Sequence, residues 1–130
     1  MTAPNDRDDP LVGAPATDVS ALERLRRFGG GKLLGEMIAL FLSAAPERIA
    51  AARAASASRD VAAAELALHS LKSSSAQLGA MEMQRLSERG ERIAGSGTLE
   101  GVDQVVRDLE EEFSRVQAWL ITIRDGGTSA

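Results

Sequence analysis

The sequence predicts an all-α protein: an up-down-up-down four-helix bundle with a short additional helix at its N-terminal end. Three observations carry this expectation. Apolar residues make up 44% of the 130 residues but aromatics only 3%, with alanine and leucine prominent, a balance that suits helices packed on helices better than a sheet. Apolar residues recur at spacings of three and four along four long stretches, the signature of one buried face per helix. Only a few residues separate these stretches, and short connections make neighbouring helices antiparallel. A chain of this length builds one domain around one modest core. No internal repeat is visible.

Residues 1 to 17 are rich in Pro, Gly, Asp and Thr with scattered apolar residues, too few to offset the entropy of ordering a backbone, so they are expected to be a flexible tail. Asp18 is a candidate N-cap for a short helix bearing Val19, Leu22, Leu25 and Phe28 on one face, and Gly29-Gly30-Gly31 ends it. This helix is expected to lie across the end of the bundle. The second helix runs from about Lys32 to Ala55, with Leu33, Leu34, Met37, Ile38, Phe41, Leu42, Ile49 and Ala52 in phase. Pro46 falls inside it. An interior proline removes a backbone hydrogen bond and costs about 3 kcal/mol, so the helix either kinks there or is two helices. The apolar phase continues from Leu42 to Ile49 and favours one kinked helix.

Asp60 supplies the next cap, and the third helix runs to Leu78 with Gly79 as its stop. At roughly 100° per residue, Ala64, Ala67, Leu71, Ser75 and Leu78 fall on one side, and Ala62, His69, Lys72, Ser73 and Ala76 on the other. The fourth helix, about Met81 to Ala94, turns Met83, Leu86, Ile93 and Ala94 inward and Arg85, Arg89 and Arg92 outward. Gly90 interrupts it at an inward position where a larger side chain would pack. Gly95-Ser96-Gly97 is a turn, and Thr98 caps a last helix from about Leu99 to Arg124. Its seam is Val102, Val105 or Val106, Leu109, Phe113, Val116, Leu120 and Ile123. The run Glu110 to Glu112 is expected at the surface, with one member free to pair with an arginine, and Trp119 half buried at the seam's edge. Residues 125 to 130 are a second tail. The bundle thus occupies residues 18–124.

Composition excludes several functions. The net charge is −4, and no basic stripe with interleaved aromatics offers a grip on nucleic acid. Asp6, Asp8, Asp9 and the prolines 4, 10 and 15 stand where a signal peptide would need a cationic start and an apolar run, and no later apolar stretch approaches membrane-spanning length. A soluble, cytoplasmic protein with no membrane partner is expected, and the lack of cysteine agrees with a reducing compartment.

Chemistry at neutral pH has few candidates, because the chain has a single histidine, no cysteine and no tyrosine. A lone histidine on a solvated helix face is usually a polar surface residue. Glu65 lies one turn from His69, but a di-metal bundle site needs paired Glu-x-x-His segments from two helices, and this chain has none. Ser70 and Ser73 to Ser75 lie on a regular helix without the elbow or anion hole that triad catalysis needs. What remains is an exposed imidazole with Lys72 three residues on, hence adjacent on the helix surface. A neutral imidazole nitrogen is a competent nucleophile for phosphorus. Lys72 can supply the positive charge that a phosphoryl group would need and that mid-helix backbone cannot offer. Ser73, one turn beyond, is small enough to let a phosphate approach.

The run His69-Ser70-Leu71-Lys72-Ser73-Ser74-Ser75-Ala76-Gln77-Leu78-Gly79-Ala80 resembles the phosphorylation motif of histidine-containing phosphotransfer (HPt) domains, His-x-Leu-Lys-Gly-x-Ser-x-x-Leu-Gly-Ala in a typical form. The likeness spans about residues 18 to 124 and takes in Asp18 with Leu22, Phe41-Leu42, Ala45-Pro46, Asp60 and Leu109-Glu110-Glu111-Glu112-Phe113. Ser73 stands where the family most often has glycine, and Gly90 where it usually has a bulky apolar residue. Glu91 matches a position where members often carry a carboxylate or amide that hydrogen-bonds the other imidazole nitrogen; a solvated helix charge is the plain alternative.

The resemblance implies a function. HPt proteins do not use ATP; they accept a phosphoryl group from the aspartyl phosphate of a response-regulator receiver domain and pass it to another. His69 would be the phosphoryl carrier and Lys72 its charge partner, with no cofactor of its own, the receiver supplying Mg²⁺ and the acidic pocket. Partners would be receiver domains and a hybrid histidine kinase, docking on Ala62, Leu66, His69, Ser73 and Ala76, a face apolar at its centre and edged by charge. A monomer is expected, since one chain supplies four helices. The alternative is a non-catalytic helical adaptor that binds a receiver or kinase.

Overall fold

The described residues, 16–126 of this computed structural model, form four helices: α1 (Val19–Ser58), α2 (Val61–Gln77), α3 (Met81–Gly95) and α4 (Val102–Gly126). Each packs on its sequence neighbour and α4 closes on α1, the up-down-up-down arrangement that the short connections predict. No strand occurs among the described residues.

The seams converge on one core. Leu22, Ile38 and Phe41 come from α1, Leu68 and Leu71 from α2, Met83 and Leu86 from α3, and Val102, Val105, Val106, Leu109, Val116 and Leu120 from α4. Both valines at the ambiguous position of the last seam are buried, and Phe113 packs partly buried against the Phe41 ring at a centroid distance of 6.1 Å. Each such side chain taken fully from water contributes about 1.5–3 kcal/mol, and this burial, not intrinsic propensity, holds the helices.

Several elements differ from the sequence expectation. The short first helix and the second are two arms of α1, which leaves helical dihedrals only at Gly30 (φ 75°, ψ −174°) and stays helical through Pro46. That backbone conformation is open to glycine alone, so the glycine run bends the helix instead of ending it. The first arm is anchored near its start: Ala21 and Leu22 are buried, whereas Phe28 is 88% exposed. The last helix starts at Val102, because Gly101 takes φ +97° and the chain turns there, with the Val102 amide donating to the Leu99 carbonyl. Glu112 is buried at 4% exposure and accepts from Arg115 at 2.8 Å, so this member of the acidic run belongs to the interior edge; Glu110 pairs with Arg53 across α1 and α4.

Of the expected N-terminal tail, Ala16 and Thr17 are described, and both are held: the Ala16 carbonyl accepts from the Glu82 amide at 3.0 Å and Thr17 bridges to Ala80. Asp125 and Gly126 continue α4. The remaining tail residues, 1–15 and 127–130, lie outside the described residues. By length and composition α1 is long and apolar enough to cross a membrane, with mean hydropathy 1.3 over 18 residues, contrary to the expectation that no stretch reaches this length. The same apolar character serves the core, where Leu34, Ile38, Phe41, Ala45 and Ile49 are buried.

Gly90 does not leave a gap for a larger side chain. A Cβ built there would stand 2.9 Å from Leu68 Cδ1 and 3.0 Å from Val105 Cγ1, so neighbouring helices already fill the space. We therefore expect Gly90→Leu to destabilise the bundle by about 1–3 kcal/mol through overpacking. Urea unfolding measures this, and Leu68→Ala in the same background should recover part of the loss; an unchanged midpoint for Gly90→Leu would contradict the packing described.

Candidate functional site

The site is built on α2. Its N-terminus is fixed by Asp60, whose side chain accepts from the Ala63 amide at 3.0 Å, a cap that contributes about 1 kcal/mol. Ala64, Ala67, Leu68, Leu71 and Ser75 are buried on its inner face. Helical phase then turns His69 outward, with its side chain 56% exposed. Ala62, Leu66 and Ser73 are exposed around it and Ala76 is half-buried. Leu66 is 67% exposed. Ala62, Glu65, Leu66, His69 and Glu91 line one surface depression, while Ser73 and Ala76 continue the same helix face without lining it.

The turn between α2 and α3 sets what lies opposite the histidine. Gly79 takes φ +75°, and a Cβ there would collide with the Asp18 carbonyl, which receives the chain entering α1. The Asp18 amide in turn donates to the Gly79 carbonyl at 2.8 Å. After this tight turn α3 runs antiparallel to α2, and the absence of a side chain at Gly90 lets Leu68 approach closely. The next residue along each helix, His69 and Glu91, then face each other across the groove.

They meet. Glu91 Oε2 lies 2.8 Å from His69 Nδ1, and Glu91 Oε1 lies 2.8 Å from Lys72 Nζ. One carboxylate, 18% exposed, therefore bridges both cation-capable groups. The Lys72 ammonium, foremost, and then the His69 ring hold the Glu91 carboxyl below its ordinary range against the opposing effect of burial; Glu91 raises Lys72 in return. An ionised carboxylate only accepts, so Nδ1 carries the donated hydrogen, and in the neutral ring the outward Nε2 keeps its lone pair. Such an arrangement presents a nucleophilic nitrogen of fixed tautomer to solvent.

A family model for the Hpt domain matches residues 36–119, a span that includes His69, Lys72 and Glu91. The chain belongs to the Hpt domain family. Phosphotransfer in phosphorelays is the function that goes with it. This Hpt domain is similar in structure to histidine-containing phosphotransfer protein B (HptB) from Pseudomonas aeruginosa PAO1, with a TM-score of 0.81 and 24% identity over 87% of this chain and 97% of that one. It is also similar to the HPT domain of a sensor hybrid histidine kinase from Shewanella, with a TM-score of 0.71 and 20% identity over 85% of this chain and 95% of that one. Both share its fold. No match was found among curated proteins.

The sequence places Lys72 beside His69 as a positive charge for a phosphoryl group, and the structure gives it a carboxylate partner on another helix. No spacing rule within α2 could reveal this, because the pairing depends on the register between α2 and α3. Glu88 and Arg92 of α3 line an adjoining depression with Glu65, Lys72 and Glu91; Arg92 is one of the arginines expected on an outward face. Leu40 of α1, 61% exposed, borders a separate groove with Ser70 and Ser74. Among the described residues no group of three or more His, Cys, Asp or Glu side chains is placed to hold a metal ion.

The bridge has a consequence for stability against pH. Glu91 sits below its ordinary value of 4.5 in the folded protein, so its contribution is complete above that value and is lost as pH falls through the lowered one. Lys72 sits above 10.5, so its contribution is complete below that value and is lost as pH rises beyond it. The stability difference between the wild type and Glu91→Gln, followed by urea unfolding, should persist through neutral pH and shrink at both extremes; a pH-independent difference would contradict the ion pair.

Proposed function

We propose that His69 is the phosphoryl acceptor of this Hpt domain, taking the group from the aspartyl phosphate of a receiver domain and passing it to a second receiver. The observation that carries this reading is the outward imidazole whose Nδ1 is tied to Glu91 at 2.8 Å, which leaves Nε2 as the free nucleophile. In transfer, the Nε2 lone pair forms the N–P bond while the P–O bond to the aspartyl carboxyl breaks, and that carboxylate leaves with its electron pair. Lys72 supplies positive charge beside the developing phosphoryl oxygens. Ser73 keeps the approach clear because its side chain is short. Glu91 orients the ring.

Hpt family membership is what supports a receiver as partner, with a hybrid histidine kinase as an upstream source. The acidic pocket and its Mg²⁺ belong to the receiver in this reading, and the Hpt domain acts as a cytoplasmic monomer with no cofactor of its own. Docking uses the face of Ala62, Leu66, His69, Ser73 and Ala76, in which Leu66 offers a large exposed apolar side chain suited to a transient interface.

Incubation with a phosphorylated receiver and Mg²⁺ should place an acid-labile, base-stable label on the protein, and His69→Gln should abolish it while leaving the helical content intact. Label persisting in the variant would refute His69 as acceptor and labelling of neither protein would leave only the adaptor reading. Leu66→Glu, at a site too exposed to disturb folding, should raise the KM for the phosphorylated receiver by about tenfold or more with little change in kcat. An unaltered KM would remove Leu66 from the docking face.

A further inference from the structure

We propose that Glu91 is a shared counter-ion that exchanges partners during transfer: it holds the Lys72 ammonium at rest and releases it to the phosphoryl oxygens as the His69 ring becomes cationic. The proposal rests on His69 as acceptor and adds what happens to the charges around it.

The geometry points to this exchange because both carboxylate oxygens of Glu91 are engaged separately, Oε2 by His69 Nδ1 and Oε1 by Lys72 Nζ, each at 2.8 Å. At rest the carboxylate therefore faces one full cation, Lys72, and one neutral N–H. Attack by Nε2 forms the N–P bond and expels the receiver carboxylate, and no proton has to leave Nδ1. The ring then carries a positive charge 2.8 Å from Glu91 and a dianionic phosphoryl group at Nε2. Glu91 gains a new cation as a stronger anion appears one helical turn from Lys72. The lysine stem is flexible and its three donors can rotate, so the ammonium can follow the larger negative charge.

The other charged groups lining this side are Glu65 of α2 and Glu88 and Arg92 of α3. Glu88 adds a second negative charge near Lys72 in the resting state, and Arg92 is drawn by Glu88 at 3.6 Å. When the phosphoryl group moves on to a second receiver, the ring loses its charge and Lys72 returns to Glu91. A carboxylate is required for this cycle. An amide at the same position would accept from Nδ1 equally well but would hold neither cation.

The experiment is single-turnover transfer from a phosphorylated receiver with Mg²⁺ to four proteins: wild type, Lys72→Ala, Glu91→Gln and the double variant. Glu91→Gln keeps an acceptor for Nδ1 and leaves Lys72 without its resting partner. Removing Lys72 should slow transfer roughly tenfold or more in the wild type, and by at least the same factor in the Glu91→Gln background, where the ammonium serves the phosphoryl group without competition. A smaller effect there would mean that Lys72 acts through Glu91, and would overturn the exchange while leaving His69 as acceptor. A second readout is the NMR titration of the Lys72 ammonium. Glu91→Gln should lower its pKa in the unmodified protein and leave it unmoved in protein phosphorylated by phosphoramidate, whereas an equal fall in both states would overturn the proposal. Failure of the wild type to take any label would overturn the acceptor role and the exchange together, an outcome distinct from the other two.

Discussion

The close approach of α2 and α3 at Leu68 and Gly90 is the constraint on which the site depends. Without a side chain at position 90, Leu68 and Val105 close over α3, and the residues that follow, His69 and Glu91, are brought to 2.8 Å. A helix pair held a few ångströms further apart would present the same imidazole to solvent but leave it free to rotate and change tautomer. The turn at Gly79 contributes from the other end by fixing the register between the two helices. Packing in the core thus sets hydrogen-bond geometry at the surface.

Electrostatics at the site follow from burial graded over a short distance. His69 is more than half exposed, Lys72 less than a third and Glu91 less than a fifth. The anion is the most enclosed of the three and is stabilised by two neighbours, so it stays charged. The imidazole, the group proposed to meet a partner, is the least enclosed. This gradient suits the proposed carrier role, in which the imidazole nitrogen is accessible and the groups that would position it lie behind it. The apolar Leu66 lies exposed beside the ring and leaves the imidazole open to solvent.

The remainder of the bundle holds that pair of helices in place. α1 spans the length of the bundle and bends at Gly30, and its first turn is tied back to the α2–α3 turn through Asp18, Gly79 and the bridge between Thr17 and Ala80. Ser20 donates to the Asp18 carboxylate through both its amide and its hydroxyl, which keeps that carboxyl below the usual range and the cap charged at the positive end of the helix. α4 supplies a seam from Val102 to Leu120, including Val105 against the Gly90 position. Core and site are in this sense one packing problem.

Helix phase was legible in the sequence, because a period of 3.6 acts on each residue through its neighbours alone. That phase determined the inward set Ala64, Leu71 and Ser75, the outward His69 and the ambiguous valines of α4 that both proved buried, and with the local motif around His69 it identified the family. Positions whose state depends on another helix were not legible. Gly90 reads as a gap until Leu68 and Val105 are seen to fill it, and Glu112 reads as surface charge until the packing of α4 encloses it. Lys72 reads only as a charge beside His69 until the register places Glu91 next to both. The glycine run reads as a helix end, and only the continuing arm of α1 makes it a bend. Local periodicity therefore determined which face His69 occupies, and tertiary packing alone decided which groups meet it there.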